Sequence, residues 1–252
     1  DFIPTTPYKI WLAVVVVSAI SYLSYLLQKY VFKSSGIVVT GLLGGLYSST
    51  ATTLIIARKS RQRHIASNLY TVSIMYSTSM MFLRIFILAF IFNGSLAYKL
   101  FTPFLVLFLL SLGIGSALYY YLKQAHQPDG KLHQDQTNPL ELKVAILFAL
   151  LFLLFSVITN FALEYYGDAG VKVLSFIVGI TDITPYLINL FEGNYQLSIT
   201  LLAQATLIAI ASNNLLKAVY TSIISHKPTK IYASAGLVVI FAITLIIAFV
   251  FI

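Results

Sequence analysis

Apolar residues along the chain recur in long runs that are separated by short polar stretches. Eight such runs lie at about residues 8–27, 37–57, 65–92, 100–122, 140–163, 171–191, 197–224 and 231–252. Each run is close to the roughly 20 residues that an α-helix needs to cross the hydrocarbon core of a bilayer. The pattern therefore predicts an all-α, polytopic membrane protein.

The composition indicates that lipid, rather than water, surrounds these helices. Hydrophobic residues make up 59% of the chain and charged residues 10%, whereas charged residues are about 25% of a typical soluble domain. The net charge of +8 comes from basic residues that lie mainly in the polar stretches. We therefore expect the lipid bilayer to be the main partner and expect no nucleic-acid partner.

The two halves of the chain look like copies of each other. The longest polar stretch, KQAHQPDGKLHQDQTN at residues 123–138, divides the runs into two sets of four. Gly45 and Gly179 are 134 residues apart, and Arg84 and Lys217 are 133 apart. This near-constant offset predicts membrane repeat 1 at residues 1–122, a connecting loop at 123–138 and membrane repeat 2 at 139–252.

The distribution of basic residues indicates whether the second run of each repeat crosses the bilayer or is re-entrant. If all eight runs cross, Lys and Arg divide eight to six between the two sides, with Arg84 and Lys217 inside the membrane. If both second runs are re-entrant, only Lys9, Lys99 and Lys172 stay outside, against eleven inside. The second division fits the positive-inside rule. It makes the repeats inverted and puts the loops at 58–64 and 123–143 in the cytoplasm; the alternative is a kinked helix that crosses.

Both second runs also carry residues that interrupt helices. The second run contains GLLGGLYSSTATT at residues 41–53, and the sixth contains SFIVGITDITP at 175–185. In each, a glycine that can end one helix precedes a Ser, Thr or Asp that can cap the next. Non-helical backbone at membrane depth must be buried in protein or line a wet cavity. We therefore expect breaks near residues 44–50 and 179–184.

These two motifs, with NPLEL at 138–142 and SNNLLKA at 212–218, resemble the C-terminal membrane domain of certain MgtC/SapB-family proteins. The resemblance covers nearly the whole chain. It implies an upstream MgtC-like membrane domain as a partner, and a bacterial or archaeal cytoplasmic membrane as the location. It implies no activity, because the domain it points to is one of unknown function and the magnesium association belongs to the upstream part.

The candidate site residues lie at the predicted breaks and on the third run of each repeat. Half-helix N-termini there would present unpaired N–H groups and partial positive charge, as in the broken-helix sites of transporters. Asp182 lies well inside an apolar run, where an ionised side chain needs a partner, a proton or a bound cation. The full set is Ser48, Ser49, Thr50, Thr52, Thr53, Arg84, Thr181, Asp182, Thr184, Asn213, Asn214 and Lys217.

Each of these residues also has an ordinary structural role open to it. The hydroxyls can bond to their own helix, Asp182 can cap the helix that follows, the asparagines can join helices, and the two cations can reach an interface. The sequence favours a transporter or channel module for a small ion or solute. The alternative is a non-transporting membrane module that regulates a partner or dimerises, for instance as a homodimer.

Enzyme chemistry finds no support in the sequence. Cysteine is absent, and the four histidines lie in polar stretches or at the ends of runs without the spacing of metal ligands. No phosphate-binding glycine loop and no cofactor motif is recognisable. We therefore expect neither an enzyme nor a cofactor, and the substrate and the sign of its charge stay open.

Overall fold

The computed structural model describes residues 6–32, 36–62, 67–122, 142–193, 195 and 197–252. Within these ranges the fold is all-helical, which confirms the predicted class. The helices are α1 (Pro7–Leu26), α2 (Ile37–Gln62), α3 (Ser67–Phe92), α4 (Gly94–Tyr121), α5 (Leu142–Val178), α6 (Ile183–Glu192), α7 (Ile199–Ile224) and α8 (Lys227–Ile246). A wider π-type turn follows α1 and another follows α8. The connecting loop predicted at 123–138 lies outside the described residues.

Seven helices of the described chain are long and apolar enough to cross a membrane. The exception is α6, which has ten residues. At 1.5 Å per residue it is about 15 Å long, roughly half the thickness of the hydrocarbon core. The sixth apolar run of the sequence is thus divided between the end of α5 and the short α6.

One boundary differs from the sequence prediction. The polar residues between the fifth and sixth runs predict a loop at about 164–170, but α5 continues through them to Val178. It bends sharply at Gly167, whose φ of 57° and ψ of −146° lie in a region that favours glycine. The bend leaves a long first part at residues 142–166 and a terminal limb at residues 168–178.

Helix α2 is interrupted at Ser48. That residue has φ −158° and ψ 105°, an extended conformation between two helical stretches. The break divides α2 into a first limb at residues 37–47 and a second limb at residues 49–62. Both this break and the one between Val178 and Ile183 fall in the two motifs where the sequence predicts non-helical backbone.

The centre of the helix bundle is formed by α3 and α7, which are the most buried of the candidate spans, whereas α1 and α8 are peripheral. Large apolar side chains such as Phe90 and Phe249 are exposed on the outside. Many buried hydroxyls bond to a carbonyl one turn earlier in their own helix, as Thr206 does to Leu202 O. This arrangement, apolar outside and hydroxyl-rich inside, is suited to lipid as the solvent.

Two glycines bring the broken segments into backbone contact with the central helices. A Cβ added to Gly45 would lie 2.5 Å from the carbonyl oxygen of Ser77 on α3. A Cβ added to Gly179 would lie 2.8 Å from the carbonyl oxygen of Ala209 on α7. Small residues permit such close approach of helices in membranes, and here they do so at matching places in the two halves.

Candidate functional site

The break in α2 is held by side chains on both sides of it. Ser48 caps the second limb, because its Oγ accepts a hydrogen bond from the Ala51 N–H at 3.3 Å. The carbonyl oxygen of Tyr47, the last residue of the first limb, accepts from Nη1 of the buried Arg84 at 2.5 Å. A cation at a helix C-terminus is favourable because the free carbonyls there carry partial negative charge.

The break before α6 has a similar construction. Asp182 caps α6, since its Oδ1 accepts from the Thr184 N–H at 3.0 Å. The Thr181 hydroxyl donates to the carbonyl oxygen of Val178 at 2.9 Å and so ends α5. Ser48 and Asp182, 134 residues apart, therefore have the same structural role. Thr184 itself is buried in the first turn of α6.

One side chain on α7 contacts both breaks. Asn213 is buried, and its Nδ2 donates to the carbonyl oxygen of Gly179 at 3.3 Å. Its Oδ1 accepts from the Thr50 hydroxyl, also at 3.3 Å. Thr50 lies in the first turn of the second limb of α2, so Asn213 joins the two broken segments at their polar turns.

Lys217, four residues after Asn213 on α7, is fully buried. Its Nζ donates to the Ser49 hydroxyl at 3.0 Å and to the Thr78 hydroxyl at 3.4 Å, and it lies 3.5 Å from the Met81 sulfur. None of these three groups carries a negative charge. The side chain therefore does not reach toward an interface, as one structural alternative required, but ends among neutral groups inside the protein.

The turn that carries Asp182 is not buried in protein. Thr181 and Asp182 are both exposed in the described chain, whereas their position deep in an apolar run suggested a carboxylate enclosed by the fold. The hydrogen bonds described for Arg84 and Lys217 go to the Tyr47 carbonyl and to Ser49, Thr78 and Met81, so a pairing of either cation with Asp182 stays a prediction.

Several buried polar atoms next to Lys217 have no hydrogen-bond partner within the described residues. They are the Thr53 hydroxyl, the Ser77 hydroxyl and both side-chain amide atoms of Asn214. Thr52, adjacent to Thr53, is also buried, and its side chain lies against Gly44. Buried polar atoms are nearly always satisfied in folded proteins, so this group of unpaired atoms is unusual for the interior of a helix bundle.

Four residues beside the site were missed from the sequence: Tyr47, Ser77, Thr78 and Met81. The signal for Ser77 and Thr78 was the hydroxyl run Ser77-Thr78-Ser79, which begins two turns before Arg84 on α3. Tyr47 acts through its backbone carbonyl, which no side-chain pattern reveals. It also lines a crevice of about 40 Å³ between α1, α2 and α5, which has room for about one water molecule.

Metal binding by clustered side chains has no candidate in the described parts of the chain. They contain no group of three or more His, Asp or Glu residues that could hold an ion. The chemistry of the site is instead that of two cations, hydroxyls, carboxamides and two half-helix N-termini. Such groups can donate and accept hydrogen bonds.

Comparisons with known proteins identify a family but name no activity. A family described as a domain of unknown function (DUF4010) matches residues 15–225. An uncharacterized protein of Aquifex aeolicus (strain VF5) is 34% identical over 223 residues, which are 86% of this chain and 96% of that protein. No solved structure matches the chain. The predicted upstream MgtC-like partner is not addressed by these matches.

Proposed function

The chain belongs to the DUF4010 family of unknown function, and we propose that it forms a membrane transporter or channel module for a small ion or solute. The site lies where the two broken helices meet. The observation that carries the proposal is the double contact of Asn213, with Thr50 at one break and Gly179 at the other. Polar turns of broken helices that meet inside a membrane bundle are typical of transporter binding sites.

Contacts at the end of α6 indicate which helix ends share a side. Lys9, near the start of α1, donates to the Glu192 carbonyl oxygen at 2.8 Å. Asn93, between α3 and α4, donates to the Phe191 carbonyl oxygen at 3.3 Å. We call the end of the bundle that carries Lys9, Asn93 and Glu192 end A, and the opposite end B.

The path of α2 follows from these two contacts. Helix α1 starts at end A and so finishes at end B, while α3 finishes at end A next to Asn93 and so starts at end B. Helix α2 joins the finish of α1 to the start of α3 and therefore begins and ends at end B. Gly41 and Gly45 lie against Ser73 and Ser77, so the first limb runs alongside α3 in the same direction. These contacts support a re-entrant α2.

The contacts of the second broken segment support insertion from the opposite end. Ser175 and Tyr186 share a hydrogen bond of 2.7 Å, although eleven residues of straight helix would put them about 16 Å apart. The terminal limb of α5 therefore folds back toward α6. Because α6 ends at end A, this hairpin inserts from end A, whereas α2 inserts from end B. These opposite directions of insertion support inverted repeats with three crossings each.

The distribution of charge supports an orientation for this arrangement. End B carries Lys29 after α1, and it carries Arg58, Lys59 and Arg61 at the end of α2. It also carries Lys227 and Lys230 at the start of α8. Lysine and arginine are concentrated on the cytoplasmic side of membrane proteins. End B would accordingly face the cytoplasm, and the two hairpins would meet between the two sides.

Exposure of the Asp182 turn supports access of water to the site. An ionised carboxylate is strongly disfavoured in hydrocarbon. The exposed Thr181 and Asp182 must then face either a water-filled cavity or a neighbouring protein. A wet cavity at the break would connect the polar turns to one side of the membrane, which transport requires.

Flux across sealed proteoliposomes tests the proposal. The purified protein is reconstituted and its flux measured with a panel of sodium, potassium, magnesium, chloride, nitrate, sulfate and phosphate ions. We expect flux of at least one ion above that of protein-free liposomes, and loss of that flux in Asn213→Ala. Asn68→Ala, near the start of α3 and outside the site, should keep it. No flux of any ion would contradict the proposal and favour a non-transporting module.

A further inference from the structure

We propose that Lys217 binds a small inorganic anion, held between the first turn of the second limb of α2 and the central helices α3 and α7. The inference rests on the proposed function only where it gives the bound anion a role in transport. Binding itself can be measured without transport, so the two proposals can fail separately.

The ammonium of Lys217 lies at the positive end of a helix. Its Nζ is 3.0 Å from the hydroxyl of Ser49, the first residue after the Ser48 cap. The free N–H groups of a helix N-terminus carry partial positive charge and stabilise anions, not cations. The Lys217 ammonium and the partial positive charge of this helix N-terminus therefore lie in the same region of the protein, and an anion bound there would be attracted to both.

Arg84 occupies the matching position in the other half but has a different environment. Its guanidinium donates to the Tyr47 carbonyl at the C-terminal, negative end of the first limb. Arg84 thus has a backbone acceptor at a helix C-terminus, although its Nε has no partner within the described residues, whereas Lys217 contacts only two hydroxyls and a thioether there. A buried charge without a compensating partner is strongly unfavourable.

The unpaired polar atoms belong to residues that lie near Lys217 or near its contact residues along the same helices. Thr53 is one turn after Ser49 on α2, Ser77 adjoins Thr78 on α3, and Asn214 is one turn before Lys217 on α7. Each of these three side chains is fully buried, and each has a hydroxyl or amide without a partner within the described residues. Two hydroxyls and the Asn214 Nδ2 are donors that an anion could accept from. Three helices thus contribute donors around one cation.

The expected ligand is small because the surrounding backbones are close together. Gly45 brings α2 into direct contact with the Ser77 backbone on α3. The donors are a point charge, hydroxyls and one carboxamide rather than a guanidinium fork, so they do not require a bidentate partner. This set suits a halide, nitrate or a small oxyanion such as phosphate.

The test is thermal unfolding of the purified protein in detergent. Sodium salts of chloride, nitrate, sulfate and phosphate are compared with sodium gluconate at equal ionic strength, and chloride salts of several cations form a second series. An anion present at about 100 times its Kd should raise Tm by about 5 °C or more. We expect this shift in the wild type and in Lys230→Gln, which removes an exposed cation, but not in Lys217→Gln.

A second variant keeps the proposal testable if Lys217→Gln does not fold. Thr53→Val keeps the shape of the side chain and removes one unpaired donor, so it should fold and bind the same anion at least several times more weakly. The proposal is overturned if no anion shifts Tm, if the shift follows the cation, or if Lys217→Gln and Thr53→Val respond like the wild type. An anion shift without flux would keep this proposal and remove the proposed transport.

Discussion

Substitution of Gly45 by alanine tests how closely the first limb of α2 packs against α3. A Cβ at this position would lie 2.5 Å from the Ser77 carbonyl oxygen and 2.7 Å from the Ser77 Cα. Both are backbone atoms of α3, so no side chain can rotate away. The first limb of α2 and α3 would have to separate by on the order of 1 Å, which also moves Ser49 relative to Lys217.

The magnitude follows from two opposing effects. Inserting a methyl group into a close helix contact costs about 1–3 kcal/mol. Alanine recovers about 0.5–1 kcal/mol of backbone entropy relative to glycine in a helix. The net loss lies between about 0 and 2.5 kcal/mol, and its midpoint near 1.3 kcal/mol corresponds to a fall in Tm of about 3–5 °C for a chain of this size.

Gly113 on α4 provides the matched control. A Cβ added there meets no atom within 4 Å, so Gly113→Ala gains helix propensity without a clash and should raise Tm by about 1–4 °C. Thermal unfolding in detergent measures the Tm of both variants. Flux in proteoliposomes then shows whether Gly45→Ala has also displaced the site. If Gly45→Ala is as stable as Gly113→Ala, α2 does not pack closely against α3.

Two further predictions concern single carboxylates. Asp182→Asn should keep Tm within about 2 °C, because asparagine caps a helix as well as aspartate does, but it should lower flux by removing the negative charge at the break before α6; unchanged flux would exclude Asp182 from the site. Burial raises the pKa of Glu192 to about 7, although the nearby Lys9 opposes the shift. Because the folded-state pKa exceeds the unfolded value, this carboxyl favours folding below about pH 4.5, and that contribution is lost as the pH rises to about 7. Glu192→Gln should flatten this dependence of Tm on pH, and an unchanged profile would contradict the assignment.

Sequence could predict the position of both helix breaks because local chemistry determines them. Gly45 and Gly179 allow close approach to a neighbouring helix, and Ser48 and Asp182 are residues that cap helices. These preferences act within a few residues and do not need the rest of the fold. The involvement of Asn213 also followed from the sequence, since an asparagine in an apolar helix needs a partner.

The environment of each intramembrane charge could not be predicted, because it depends on packing between the two halves. Arg84 and Lys217 match in sequence position, yet one contacts a helix C-terminus and the other a helix N-terminus. The exposure of Asp182 likewise depends on which helices cover its turn. The continuation of α5 past Gly167 was missed because polar residues near a membrane surface occur in helices as readily as in loops.

The topology of the two broken segments is the central claim, and cysteine accessibility tests it most directly. The chain has no cysteine of its own, so single cysteines can be introduced at exposed positions and treated in intact cells with a reagent that cannot cross the membrane. Gly36→Cys and Gln62→Cys, at the two ends of α2, should both resist labelling. Ser95→Cys at the start of α4 should react, as should Asp168→Cys and Ser198→Cys, which flank the second broken segment. Labelling at only one end of α2 would mean that α2 crosses the bilayer, and the inverted, re-entrant arrangement would be wrong.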